Sequence, residues 1–196
     1  LSLEMAARKL RHDFLARAAA QERIPSVALA HHADDQLELF LLRLLRGSGG
    51  EGLGGMKWRN PSPSDPGIEL VHPLLAQPKA ELFKYAAEQG LRYREDASNA
   101  TLDFQRNRIR HELLPLLRRR FQPSLDKTIS RVMEITGAEA EFAAAAAREW
   151  LGRGRRGSPK AEGRRPTGKR GRLAFEELAV AVQRRCVQLQ LLNQGI

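Results

Sequence analysis

The stretch Ser26-Val27-Ala28-Leu29-Ala30-His31-His32-Ala33-Asp34-Asp35-Gln36-Leu37-Glu38 passes from apolar to ionisable in a single step. Its first five residues follow Pro25 and form a short apolar run, the pattern of a buried parallel strand. From Asp34 onward, Leu37, Phe40, Leu41, Leu44 and Leu45 recur at helical spacing, and Gly47 is placed to end the helix. Upstream, Leu3, Ala7, Leu10 and Phe14, with Ala6 beside them, predict an amphipathic helix over residues 2–22. Helix–strand–helix is half of a doubly wound sheet, and such sheets bind ligands beyond the carboxyl ends of their strands. The candidate site therefore follows Ala30. His31 and His32 lead into it, Asp34 and Asp35 stand in the first helical turn, and Asp35 and Glu38 share a face. Acids in a first turn also complement the helix dipole. Three acids and two histidines in eight residues exceed that need. Histidines beside carboxylates would alternatively suit metal ligation, as in two-metal hydrolases.

Downstream, Gly47, Gly49 and Gly52 form a formal G-x-G-x-x-G. The dinucleotide motif must follow a strand and open a helix, whereas this one closes a helix, so the dinucleotide assignment fails. No G-x-x-x-x-G-K-[ST] phosphate loop occurs either. Residues 60–66, rich in proline and serine, predict an exposed loop, and residues 68–72 a second strand. Pro78 then opens a helix with Leu82, Phe83 and Ala86 inward and Gly90 beyond its end, followed by a short strand over residues 91–93. Everything after about Asn107 reads as helix, with Pro115 and Pro123 as punctuation. One long helix is predicted from Ser124 into Trp150, and a last one over residues 175–193 carries Leu178, Val182, Cys186, Leu189 and Leu192 in register. The expectation is an α/β fold: a truncated doubly wound parallel sheet over residues 1–121, then a helical region over 122–196.

The 196 residues carry no apolar run of membrane-spanning length, and the first of them lack a signal-peptide pattern. A single cysteine, Cys186, excludes a disulfide within the chain, and the cytoplasm is the expected compartment. Net charge is +10, of which residues 151–172 supply +8 through nine Lys or Arg against Glu162. Six glycines and two prolines make that segment a solvated loop, either a linker or an arm touching phosphates. A second basic cluster, Arg106-Asn107-Arg108-Ile109-Arg110-His111, sets Arg106 and Arg110 one helical turn apart. Two guanidinium groups facing one way suit a phosphate or a carboxylate.

Six motifs in order, A-H-H-A-D-D-Q-x-E (30–38), L-L-R-x-L-R-G-S-G (41–49), G-L-G-G-M (52–56), H-P-L-L (72–75), E-D-A-S-N (95–99) and F-Q-R-N-R-I-R-H (104–111), resemble the tRNA(Ile)-lysidine synthetases. L-A-V-A-V-Q-R-R (178–185) is similar to that family's next helical segment. The resemblance implies a PP-loop fold, like that of the adenine nucleotide alpha-hydrolases, and a cytosolic RNA-modifying ligase. In that chemistry ATP adenylates the wobble cytidine of tRNA(Ile), and free L-lysine displaces AMP. It implies ATP with Mg2+, lysine and tRNA(Ile) as ligands; no membrane is involved, and a homodimer is compatible. Asp35 and Glu38 would then orient lysine and accept a proton, and Arg106 would stabilise the transferring phosphate. His31, His32, Asp34, Arg46, Asn107 and Arg110 would bind substrate or nucleotide, and Arg155, Arg156, Arg164 and Arg165 would contact RNA. No metal ligand set is assigned. The family's S-G-G-x-D-S phosphate loop lies ahead of the point where this sequence starts, so the chain alone is expected to hold ATP poorly and form no lysidine. His72 stands where the family usually has arginine. A sulfur-delivering thiolase would need more cysteines than Cys186; a non-catalytic tRNA-binding remnant stays open.

Overall fold

A computed structural model describes residues 3–94, 104–155 and 173–195. Helix α1 (Leu3–Gln21) leads to strand β1 (Ser26–Ala28) and helix α2 (Ala33–Leu45). A short helix α3 (Gly50–Leu53), strands β2 (Arg59–Pro61) and β3 (Glu69–Val71) and helix α4 (Lys79–Glu88) follow. The sheet order is β1-β3-β2; β1 and β3 run parallel with Val27 opposite Leu70, and β2 pairs antiparallel to β3 with Asn60 opposite Leu70. The parallel pair, connected through α2, is the half-sheet expected from the opening stretch.

Three details correct the sequence expectation. Residues 59–61, two of which fall in the expected loop, form the antiparallel edge strand; Pro61 is tolerated there because an edge strand leaves one row of amides unpaired. Residues 91–93 form no strand, and Phe83, expected inward, is exposed and stacks at 5.4 Å on Tyr93. On α1, Leu10 and Phe14 face outward, 68% and 61% exposed, while His12, Ala16 and Ala19 are buried. Small side chains let α1 lie close to β1, and a bulky stripe does not.

The last third is helical. Helix α5 (Gln105–Arg108) continues through a π turn (Ile109–Leu113) into α6 (Leu114–Arg120). Pro115 explains the widened turn. It lacks an amide and its ring would clash with the carbonyl four residues back, and the Leu114 amide reaches Ile109 O, five residues back. Helix α7 (Leu125–Arg155) is longer than expected, and a 3-10 turn (Phe175–Glu177) precedes α8 (Val180–Asn193). Of the register expected in the last helix, Cys186 is buried, Val182 and Leu189 are half-buried, and Leu192 is exposed.

The core joins α2, the π turn, α6 and the first turns of α7: Leu37, Phe40, Leu41, Ile109, Leu114, Ile129 and Met133. Each such side chain stabilises the fold by roughly 1.5–3 kcal/mol. The G-L-G-G-M motif (52–56) fits here. A Cβ on Gly54 would stand 2.8 Å from Gly137 Cα in α7, so α3 and α7 meet backbone to backbone. Gly55 has φ +74°, a left-handed conformation that favours glycine. Among the described residues no helix is long and apolar enough to cross a membrane.

Candidate active site

Helix α2 begins five residues after β1 ends, so its first two turns sit at the carboxyl end of the parallel pair. Asp35 and Glu38 project from one face of it, and α5 with the π turn lies across that face. Arg106 bridges the two acids, with Nη2 2.5 Å from Asp35 Oδ1 and Nε 2.7 Å from Glu38 Oε2. Arg110 completes the set: Nε is 2.5 Å from Glu38 Oε1 and Nη2 is 3.0 Å from Oε2. Glu38 is 1% exposed, which is sustained only because two guanidinium groups compensate its charge. Arg110 has its pKa raised, chiefly by the hydrogen bond to Glu38, with burial opposing. Arg106 spends Nε and Nη2 on the acids, while its Nη1 bonds to no described residue and its side chain is 40% exposed.

The other expected residues divide. His32 caps α2, and its amide donates to Asp35 Oδ2 at 2.9 Å. Asp34 Oδ2 accepts the Lys79 amide at 2.8 Å, tying the start of α4 to the start of α2. His31 lies 5.1 Å from His72, ring to ring, and its buried Nδ1 has no partner among the described residues. Burial lowers the His31 pKa; Asp35 opposes, and His72 and Arg106 add to the lowering, so the ring is neutral at pH 7. His72 is buried with Nδ1 2.9 Å from Lys57 O, so Nδ1 carries the proton and donates. Asn107 is buried in α5. Arg46 stands apart, eleven residues along α2 or roughly 16 Å from Asp35, with Nη2 3.5 Å from Gln105 Oε1. Glu95–Asn99, Arg156, Arg164 and Arg165 lie outside the described residues, as does the side chain of Arg155.

Two motif residues with no role assigned from sequence hold the glycine turn. Gln36 pairs its amide with both backbone groups of Met56, at 2.7 and 3.0 Å, and Arg43 Nη1 donates to Gly52 O at 2.7 Å. Position is the signal that marks them: they stand seven residues apart on α2, so one face of the helix presents both to the glycine turn. Arg118 carries no such signal; its Nη2 lies 2.8 Å from Asp126 Oδ1 and 3.9 Å from Asp34 Oδ1. Cys186 of α8 is buried, its Sγ 3.9 Å from Ala147 O of α7. Asp35 and Glu38 are engaged by arginines, and among the described residues no group of three or more His, Cys, Asp or Glu is placed to hold a metal ion.

Comparison with known proteins places this site in context. Residues 1–117 match the model of a family described as the PP-loop domain. The tRNA(Ile)-lysidine synthase of Geobacter sulfurreducens is 45% identical over 135 residues, 69% of this chain and 27% of that protein. That of Gloeobacter violaceus is 42% identical over 139 residues, 71% of this chain and 42% of its own length. That of Symbiobacterium thermophilum is 36% identical over 189 residues, 96% of this chain and 38% of that protein. The chain thus spans less than half the length of each of these curated relatives.

Proposed function

The chain belongs to the PP-loop family, and from that premise we propose that it is part of a tRNA(Ile)-lysidine synthetase. The observation that carries this is the four-residue network at the carboxyl end of β1. It holds one guanidinium nitrogen, Arg106 Nη1, uncommitted among the described residues and beside a fixed charge array. In the proposed reaction the cytidine carbonyl oxygen attacks the α-phosphorus of ATP, and pyrophosphate leaves. The lysine amine then attacks the activated ring carbon, AMP leaves with the oxygen, and the amine proton passes to a base. Negative charge grows on the α-phosphate in the first step, and a preoriented donor that needs no reorganisation stabilises it. Asp35 and Glu38 serve as positioning residues that fix Arg106 and Arg110, because Glu38 already accepts hydrogen bonds from both guanidinium groups and Asp35 from Arg106 and the His32 amide. ATP, with the Mg2+ that accompanies its phosphates, tRNA(Ile) and L-lysine are the proposed substrates and companions, and the cytoplasm the proposed compartment.

The test is lysine transfer to tRNA(Ile) by a protein carrying both this chain and the family's S-G-G-x-D-S loop. Arg106→Lys keeps the charge and loses the fork that spans two acids. We expect kcat to fall on the order of 10²–10³-fold, as for loss of one transition-state donor, with the fold intact. Full activity in Arg106→Lys would remove that role, and absence of lysidine from the unaltered protein would remove the reaction.

A further inference from the structure

A cavity of about 510 Å3 opens where the turn into α3, the middle of α7 and the first half of α8 meet. It lies past the far end of α2 from Asp35 and Glu38, and the reaction proposed above makes no use of it. Ala140, Ala143 and Ala181 line it with small side chains, and its charged groups are Glu51, Glu139, Arg184 and Arg185. Arg185 is the least accessible of these, its side chain 12% exposed against 60% for Glu51. Arg185 Nη1 and Nη2 donate to the two oxygens of Glu51, with Nη2 2.8 Å from Oε1, and Nη1 also donates to Gln188 Oε1 at 2.8 Å. Arg185 Nε is buried and has no partner among the described residues. Arg184 is exposed and makes no hydrogen bond or ion pair with any described residue.

We propose that Arg184 and Arg185 form a seat for a phosphate group, and that Glu51 fills it when no phosphate is bound. Guanidinium groups match phosphate through paired, charge-assisted hydrogen bonds, and here two of them line one cavity. A carboxylate is the closest likeness to that ligand within a protein, and Glu51 already sets both its oxygens on the Arg185 fork. The likeness is incomplete. A planar carboxylate serves Arg185 alone and leaves the buried Nε without an acceptor, which is costly for a buried donor. A tetrahedral phosphate can reach both guanidinium groups at once. Charge gives the exchange its direction. With Glu51 in place, two guanidinium groups and two carboxylates cancel. With Glu51 turned out to solvent, Arg184 and Arg185 face only Glu139, and the positive balance favours an anion. Glu51 gives way easily, because it stands on the four-residue α3, is more than half exposed, and an exposed ion pair contributes little. The same chemistry is offered by a polynucleotide backbone and by free phosphate, and the experiment separates the two.

The experiment titrates inorganic phosphate, a uridine hexanucleotide and the same hexamer with neutral methylphosphonate linkages into the 196-residue chain by calorimetry. Each titration is repeated with Glu51→Gln, Arg184→Gln and Arg185→Gln, beside a thermal melt of every variant. Glu51→Gln should tighten binding roughly two- to fivefold, the factor that an exposed ion pair represents. Each arginine substitution should weaken it about tenfold or more, as for loss of a hydrogen bond to a charged group. Arg184 is exposed, so its variant should melt with the parent and decides the matter even where Arg185→Gln fails to fold. The hexamer bound in preference to free phosphate, with the neutral hexamer about tenfold or more weaker, makes a polynucleotide backbone the source. Free phosphate bound as tightly as the hexamer makes it the source instead. No binding of either, binding indifferent to Arg184→Gln, or a Glu51→Gln protein that binds no more tightly than the parent overturns the proposal. Lysine transfer has no part in these readouts, so either result leaves the proposed reaction to its own test.

Discussion

Glu38 and Arg110, 72 positions apart in sequence, share two hydrogen bonds of 2.5 and 3.0 Å, and the Glu38 side chain is all but sealed from solvent. A buried ion pair contributes little net stability compared with apolar packing of the same shape, yet breaking one side of it is costly. Glu38→Gln removes the one charge that Arg106 and Arg110 share and leaves Arg106 only Asp35 of the two acids. The expected loss is about 3–5 kcal/mol in urea unfolding. Combining Glu38→Leu with Arg106→Met and Arg110→Met should recover much of it. A Glu38→Gln protein as stable as the parent would show that the network is not buried as described.

How much of this is legible in the sequence depends on range. Spacing alone places Asp35 and Glu38 on one face, because a three-residue offset on a helix has only one outcome. It also makes Arg106 and Arg110 a facing pair, but it does not supply their partners, since nothing local couples positions some seventy residues apart. The face of α1 is misleading because Leu10 and Phe14 recur at helical spacing, whereas close packing on β1 selects Ala16 and Ala19. The edge strand is hidden by Pro61 and its serine-rich neighbours, which look like loop until an antiparallel partner is present. Placement at the end of a helix is enough to deny Gly47, Gly49 and Gly52 a dinucleotide role; the packing use of nearby Gly54 depends on Gly137, far along the chain.

That packing gives opposite outcomes for two Gly→Ala changes. At Gly54 the added methyl would meet Gly137 Cα at 2.8 Å, and backbone cannot swing aside. Gly54→Ala should destabilise by roughly 1–3 kcal/mol, the ordinary cost of overpacking. At Gly152, within α7, nothing lies within 4 Å of the new Cβ. Gly152→Ala should stabilise by a few tenths to about 1 kcal/mol through helix propensity. Denaturant midpoints of the two variants therefore move to opposite sides of the parent; a shift in the same direction would contradict the close α3–α7 approach.

Stability should fall on the acid side because His31 and His12 are both held below the ordinary histidine value of 6.5. For His31 burial is the largest cause; for His12 it is burial, then Arg8 and Arg11. Above about pH 6.5 folded and unfolded chains both carry neutral rings. As pH drops below that value the unfolded chain takes up protons that the folded chain resists, so the balance moves toward unfolding. His31→Gln with His12→Gln should flatten the decline in Tm between about pH 7 and pH 5.5. A decline of the same steepness in the double variant would assign it to other groups.

The last prediction concerns the basic segment 151–172, which holds most of the net charge. The residues flanking it are joined: Trp150 Nε1 donates to Leu173 O at 2.9 Å, and the Trp150 ring lies 5.8 Å from Phe175. Each phosphate neutralised releases condensed counterions, so affinity falls with salt along a line whose slope reflects how many phosphates are engaged. Replacing Arg155, Arg156, Arg164 and Arg165 with Ser should weaken tRNA binding and flatten that slope. The change should be ~0.7 for each single-stranded phosphate, or ~0.9 for each duplex phosphate, that the protein no longer neutralises. Preference for tRNA(Ile) over other tRNAs should barely change, because phosphate-binding groups position an RNA without reading it. Binding isotherms at several salt concentrations decide the matter. A slope identical before and after the four replacements makes the segment a linker, and the tRNA must then be held by other parts of the protein.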